Sequence, residues 1–111
     1  MKKTLLLLIL FISFTAFGQY TLTATKYYPG HNGMGTITAS GSKVNINSLN
    51  SGKIRWVALS HDLLKTFKYG DTIVVYSDNP YLNGLWIVKD KMHKRWKHKI
   101  DFMFPYEGLI F

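Results

Sequence analysis

After Gly18 the apolar residues come only in short runs, each closed by Gly, Pro, Asn or Ser, and this restricts the chain to a fold of short strands. Tyr20 to Tyr28 alternates and is rich in Thr and Tyr, the pattern of a half-buried strand. Pro29 to Gly35 is a turn-dense loop, and Thr36 to Ala39 and Lys43 to Ile46 read as two short strands parted by Ser40-Gly41-Ser42. Asn47 to Lys53 reads as loop, and Ile54 to Leu59 as a mostly apolar, central strand. Ser60 is placed to cap a short helix through Leu63, Leu64 and Phe67 that ends before Gly70. Asp71 to Tyr76, Gly84 to Lys89 and Ile100 to Phe104 supply further strands, with a turn at Ser77 to Pro80. Six or seven short strands with one short helix predict a compact all-β barrel.

The N-terminus has a different pattern. Lys2 and Lys3 precede an apolar run from Leu5 to Phe14, and Ala16 and Gly18 supply the small residues that a signal peptidase reads. Residues 1–18 are therefore expected to be a secretory signal peptide, with the mature domain at 19–111. The apolar run is shorter than the ~20 residues of a bilayer span, so no membrane anchor is expected after cleavage. With no cysteine in the chain, neither a lipid-anchored N-terminus nor a disulfide scaffold is available. An exported domain of this kind must hold together by its core alone. Cleavage removes two lysines and takes the net charge from +8 to +6. A basic exported domain accumulates near anionic polymers such as peptidoglycan and other envelope glycans.

The chemistry is concentrated between Gly84 and Phe104. Asp90 and Asp101 stand at the ends of two apolar runs, and the loop between them carries Lys91, His93, Lys94, Arg95, Lys97, His98 and Lys99. Asp101 lies between Ile100 and Phe102, so strand alternation sends it to the face opposite both apolar neighbours. Trp96, flanked by Arg95 and Lys97, is the tryptophan expected to be exposed and is a candidate sugar platform. Tyr28, His31, Ser60, His61, Lys91 and Arg95 are the further candidate substrate contacts. The four histidines have no metal-ligand spacing and no cysteine to join them, so neither a metal nor any other cofactor is expected.

Several pieces in order carry a family resemblance: Thr23 to Tyr28, Gly35 to Gly41, Val57 to Ser60, Phe67 to Ile73, Val88 to Asp90 and Lys99 to Phe102. Together they resemble the three-aspartate domain, a relative of the rare lipoprotein A-like double-psi β-barrels and of the barrel in membrane-bound lytic transglycosylase A. The resemblance implies a small six-stranded double-psi β-barrel with a groove across one face. For enzymatic members it implies cleavage of peptidoglycan glycan strands. Two of the family's aspartates match Asp90 and Asp101, with Asp101 the implied acid–base group, and the third falls on Ser60.

Protonating a glycosidic oxygen needs a carboxyl group with a raised pKa, which the resemblance places at Asp101, with Asp90 orienting it or raising its pKa by like charge. A hydrolase of the common kind uses two carboxylates, whereas a lytic transglycosylase works with one, because the sugar's own hydroxyl attacks. Other readings of the same residues stay open. Asp90 is also placed to cap the turn after its strand, and Asp101 to pair with Lys89 or Lys99. The region is thus either a glycan-cleaving site or a non-catalytic glycan-binding module. The basic run alone would suit nucleic acid, which export argues against.

Overall fold

The structure is a computed structural model and describes residues 3–10, 17–30 and 35–106, with side chains from Gln19 onward. Its strands are β1 (Lys3–Leu10), β2 (Phe17–Tyr27), β3 (Trp56–Leu59), β4 (Thr72–Tyr76), β5 (Gly84–Lys91) and β6 (Lys99–Met103). One short helix, α1 (Ile46–Asn50), and two single 3-10 turns at Leu63–Lys65 and Pro80–Leu82 complete the described secondary structure. The fold is mostly β, as the run lengths predict.

Strands β2, β6, β3, β5 and β4 form, in that order, one sheet curved into a half-barrel. The pairings β2–β6 and β3–β5 are parallel, whereas β3–β6 and β4–β5 are antiparallel. Strand β1 pairs antiparallel with both free edges, β2 and β4, and so joins the ends of the sheet. It falls within the expected signal peptide, and β2 runs through the expected cleavage point at Gly18 and Gln19.

Alternation along each strand gives the concave face one continuous core. Leu22 and Ala24, Val57 and Leu59, Ile73 and Val75, Trp86 and Val88, and Ile100 and Phe102 all point inward and are buried. Trp86 anchors this core: its ring meets Phe102 edge-on at 4.8 Å between centroids, and its indole N–H donates to the Leu82 carbonyl at 2.8 Å. Burying an aromatic of this size removes enough apolar surface from water to contribute about 1.5–3 kcal/mol. Gly70, at φ +95°, turns the chain into β4 while its N–H donates to Val88 O at 2.7 Å, a backbone shape that strains any L side chain.

Among the described residues, α1 covers one end of the convex face. There α1 lays Leu49 against Val44 and Met103, beside Tyr27, Ile54 and Trp56. Sequence reading expects loop where α1 forms and strands on either side of Gly41. Asn45 instead caps a helix, accepting the Ser48 N–H at 3.0 Å, and the two expected strands reduce to a single bridge between Ile37 and Lys43. The helix is too short to show a periodic apolar pattern, and Leu49 is its one buried residue. The helix expected after Ser60 is a single 3-10 turn at Leu63–Lys65.

Candidate functional site

Three strands line up the two aspartates. Ala58 on β3 is paired with Asp90 of β5 on one side and with Asp101 of β6 on the other. On the other side of Asp101, β2 sets Thr25 in the same row. At the usual interstrand spacing, Asp90 and Asp101 have Cα atoms roughly 10 Å apart, with the small Ala58 side chain between them.

Asp90 reaches this face only through a β-bulge. Trp86 and Val88 point into the core, so strict alternation would send Asp90 inward as well. The register between β3 and β5 shifts after Val57–Val88, and Ala58 pairs with Asp90 rather than with Lys89. The extra residue, Lys89, turns Asp90 onto the convex face beside Asp101.

The two carboxyl groups are held differently. Asp90 accepts three hydrogen bonds, from Ala39 N at 2.8 Å, Lys91 N at 3.0 Å and the Tyr27 hydroxyl at 3.2 Å. Asp101 accepts one, from the Thr25 hydroxyl at 2.8 Å. Burial pushes the Asp101 carboxyl up to about 6; the Thr25 bond opposes the rise and the neighbouring Asp90 charge adds to it. The Tyr27 phenol is pushed well above its ordinary value, first by burial and then by the charges of Asp90 and Asp101. It stays protonated and donates to Asp90.

Tyr27, Ala58, Asp90, Asp101, Lys91, Met92, His93 and Trp96 line an open cleft of about 280 Å³. A second cleft of about 320 Å³, lined by His61, Leu64, Phe67, Lys68, Tyr69 and Lys91, adjoins it through Lys91. Among the described residues its lining holds no carboxylate, and both aspartates line the first cleft.

The other candidate residues divide between sites. Trp96 is half-buried and lines the carboxylate cleft, with the Arg95 guanidinium 4.6 Å and the Lys99 ammonium 5.0 Å from its ring centre. Lys91 lines both clefts and His61 only the second. Tyr28 points the other way, against the inner core, and Tyr27 takes the place expected for it. The alternation of Leu22 and Ala24 with Thr23, Thr25 and Tyr27 carries that signal in the sequence. His31 lies outside the described residues.

Ser60 is fully buried, which removes it from any substrate surface. Its hydroxyl accepts the Lys99 N–H at 3.1 Å and bonds the Asp62 carboxylate, and so ties the end of β3 to the start of β6. It is not a helix cap either, since the 3-10 turn begins after Asp62. Burial acts to raise the Asp62 pKa, but the Ser60 hydroxyl and the His98 N–H outweigh it and hold the carboxylate below its ordinary value. The same His98 N–H bond, at 3.1 Å, pins His98 at φ +51° immediately before β6.

Neither Lys89 nor Lys99 neutralises Asp101 in the way a salt bridge would require. Lys89 Nζ donates to the Ser42 hydroxyl and lies 5.2 Å from the centre of the Trp56 ring, while Lys99 lies over Trp96. Among the described residues no group of three His, Asp or Glu side chains is arranged to hold a metal. In comparison with known proteins, the chain matches no family model, no curated protein and no solved structure.

Proposed function

We propose that the protein is an exported, peptidoglycan-active barrel of the three-aspartate, double-psi type, cleaving glycan strands with Asp101 as general acid and base. The observation that carries this reading is the pairing of two carboxyl groups across Ala58 in one cleft, with Asp101 raised to about 6. An acid with that pKa is partly protonated at neutral pH and regains its proton readily, which suits it to both halves of an acid–base cycle. The parallel pairings of β2 with β6 and β3 with β5 support the double-psi topology.

Unequal carboxylate environments favour a one-carboxyl, lytic transglycosylase-like route over two-carboxylate hydrolysis. Asp90 is occupied by three donors, two of them backbone N–H groups, and serves as a fixed negative charge. Asp101 gives its proton to the glycosidic oxygen as the C1–O bond breaks. The resulting carboxylate then takes the proton of the sugar's own C6 hydroxyl as that oxygen closes on C1. The proton returns to Asp101 and no water is consumed. Trp96, on the cleft wall, supplies a flat apolar surface for a sugar ring.

A second reading, a non-catalytic glycan-binding module, draws on the cationic flank of Trp96 formed by Arg95 and Lys99. Incubation of the purified protein with sacculi separates the two, with released muropeptides identified by mass. Anhydro-ended products that disappear in Asp101→Asn are expected from the enzyme. Reducing-ended products would replace the transglycosylase route with hydrolysis. Sedimentation with sacculi and no release in any condition would make the protein a binding module.

A further inference from the structure

The second cleft has a chemical character of its own. Its apolar and aromatic wall comes from Leu64, Phe67 and Tyr69, while its charged groups are the ammonium groups of Lys68 and Lys91, with His61 beside them. Lys68 is held in place rather than neutralised: its Nζ donates to the carbonyls of Lys65 at 3.1 Å and Leu64 at 3.3 Å. Asp71 accepts the backbone N–H of Lys68 at 2.8 Å but is not part of the cleft wall. Lys91 borders both clefts, and Asp90 is near enough that its charge, after burial, helps to raise the Tyr69 phenol. A ligand extending out of the carboxylate cleft past Lys91 therefore enters a pocket that pairs apolar contact with positive charge.

We propose that this second cleft is a subsite for a short peptide carrying a free carboxylate, branching from the glycan held at Asp101. Charge complementarity selects an anion, and the Leu64–Phe67–Tyr69 wall selects one with an apolar body, which a peptide has and a bare phosphodiester lacks. Its volume of about 320 Å³ is at the lower end of small-ligand pockets and admits a few residues of chain. The inference rests on reading the Asp101 cleft as a glycan site, and it adds discrimination by what the glycan carries.

Calorimetric titration of the purified protein with two soluble probes tests it without relying on turnover. The probes are a disaccharide bearing its peptide and the same disaccharide freed of peptide by an amidase. The peptide-bearing form is expected to bind at least about 5-fold more tightly, a difference of about 1 kcal/mol. Lys68→Gln and Tyr69→Ala, both at exposed positions, are each expected to bring that ratio close to 1. Lys53→Gln, in the exposed loop after α1 and outside both clefts, is expected to keep it. Equal affinities in the wild type, or a ratio that survives both cleft variants, would overturn the subsite while leaving the glycan reading intact. Absence of binding to either probe would overturn both.

Discussion

The two faces of the curved sheet do different work with the same strands. The concave face is closed: five strands contribute buried apolar residues and one tryptophan whose N–H is bonded. The convex face is covered by α1 at one end, while the other end is left as a cleft holding Asp90 and Asp101. Stability concentrates where side chains are fully surrounded, and acid–base potential concentrates where burial is incomplete. The Asp101 carboxyl there loses enough water to shift its pKa and still lines an open cleft.

The largest expected effect breaks the comparison from the inside. Trp86→Ala removes a wholly buried ring from contact with Phe102 and Tyr81 and takes the indole donor from Leu82, so a loss of about 3–5 kcal/mol is expected in urea unfolding. A loss under about 1 kcal/mol would show that the concave face is not the main source of stability.

The next effect is a gain, and it depends on pH. Asp101 titrates near 6 in the fold against 3.8 as its reference value, so its charged form is the one the fold disfavours. Below about pH 3 the group is protonated in both states and carries no penalty. As pH rises from about 3 through the folded value near 6, the unfolded chain ionises more readily and stability is lost; above that both states are ionised and the penalty is constant. Asp101→Asn removes this penalty, and the variant is expected to match the wild type at about pH 3 and exceed it at pH 8 by at most about 3 kcal/mol. The same variant is expected to lose glycan release. Equal stability at both pH values would remove the basis for Asp101 as an acid.

The smallest stability effect sharpens the contrast. Ala58 is itself buried at the floor of the cleft, so Ala58→Leu forces a larger side chain between the two carboxyl groups, and an overpacking cost of about 1 kcal/mol is expected. Glycan release should fall by at least about tenfold despite that small cost. Retained activity would mean that a sugar does not occupy the space over Ala58.

Much of the sheet is legible in the chain, because burial on one face imposes a period of two. Leu22 and Ala24, Val57 and Leu59, and Ile100 and Phe102 mark their strands in this way, and Asp101 lies opposite its apolar neighbours as alternation requires. The same rule separates Tyr27 from Tyr28. Short elements are harder to read. α1 buries one residue and has no period to display, so its cap at Asn45 is the only local sign. The buried position of Ser60 depends on Lys99 and Asp62, which no local pattern connects to it.

Local sequence thus determined by itself where β2 to β6 run and which way Asp101 faces, since both follow from the chemistry of adjacent residues. Only tertiary structure decided that Asp90 shares its face. That outcome depends on a one-residue slip between β3 and β5, and a register is a relation between strands about 30 residues apart that neither strand encodes alone.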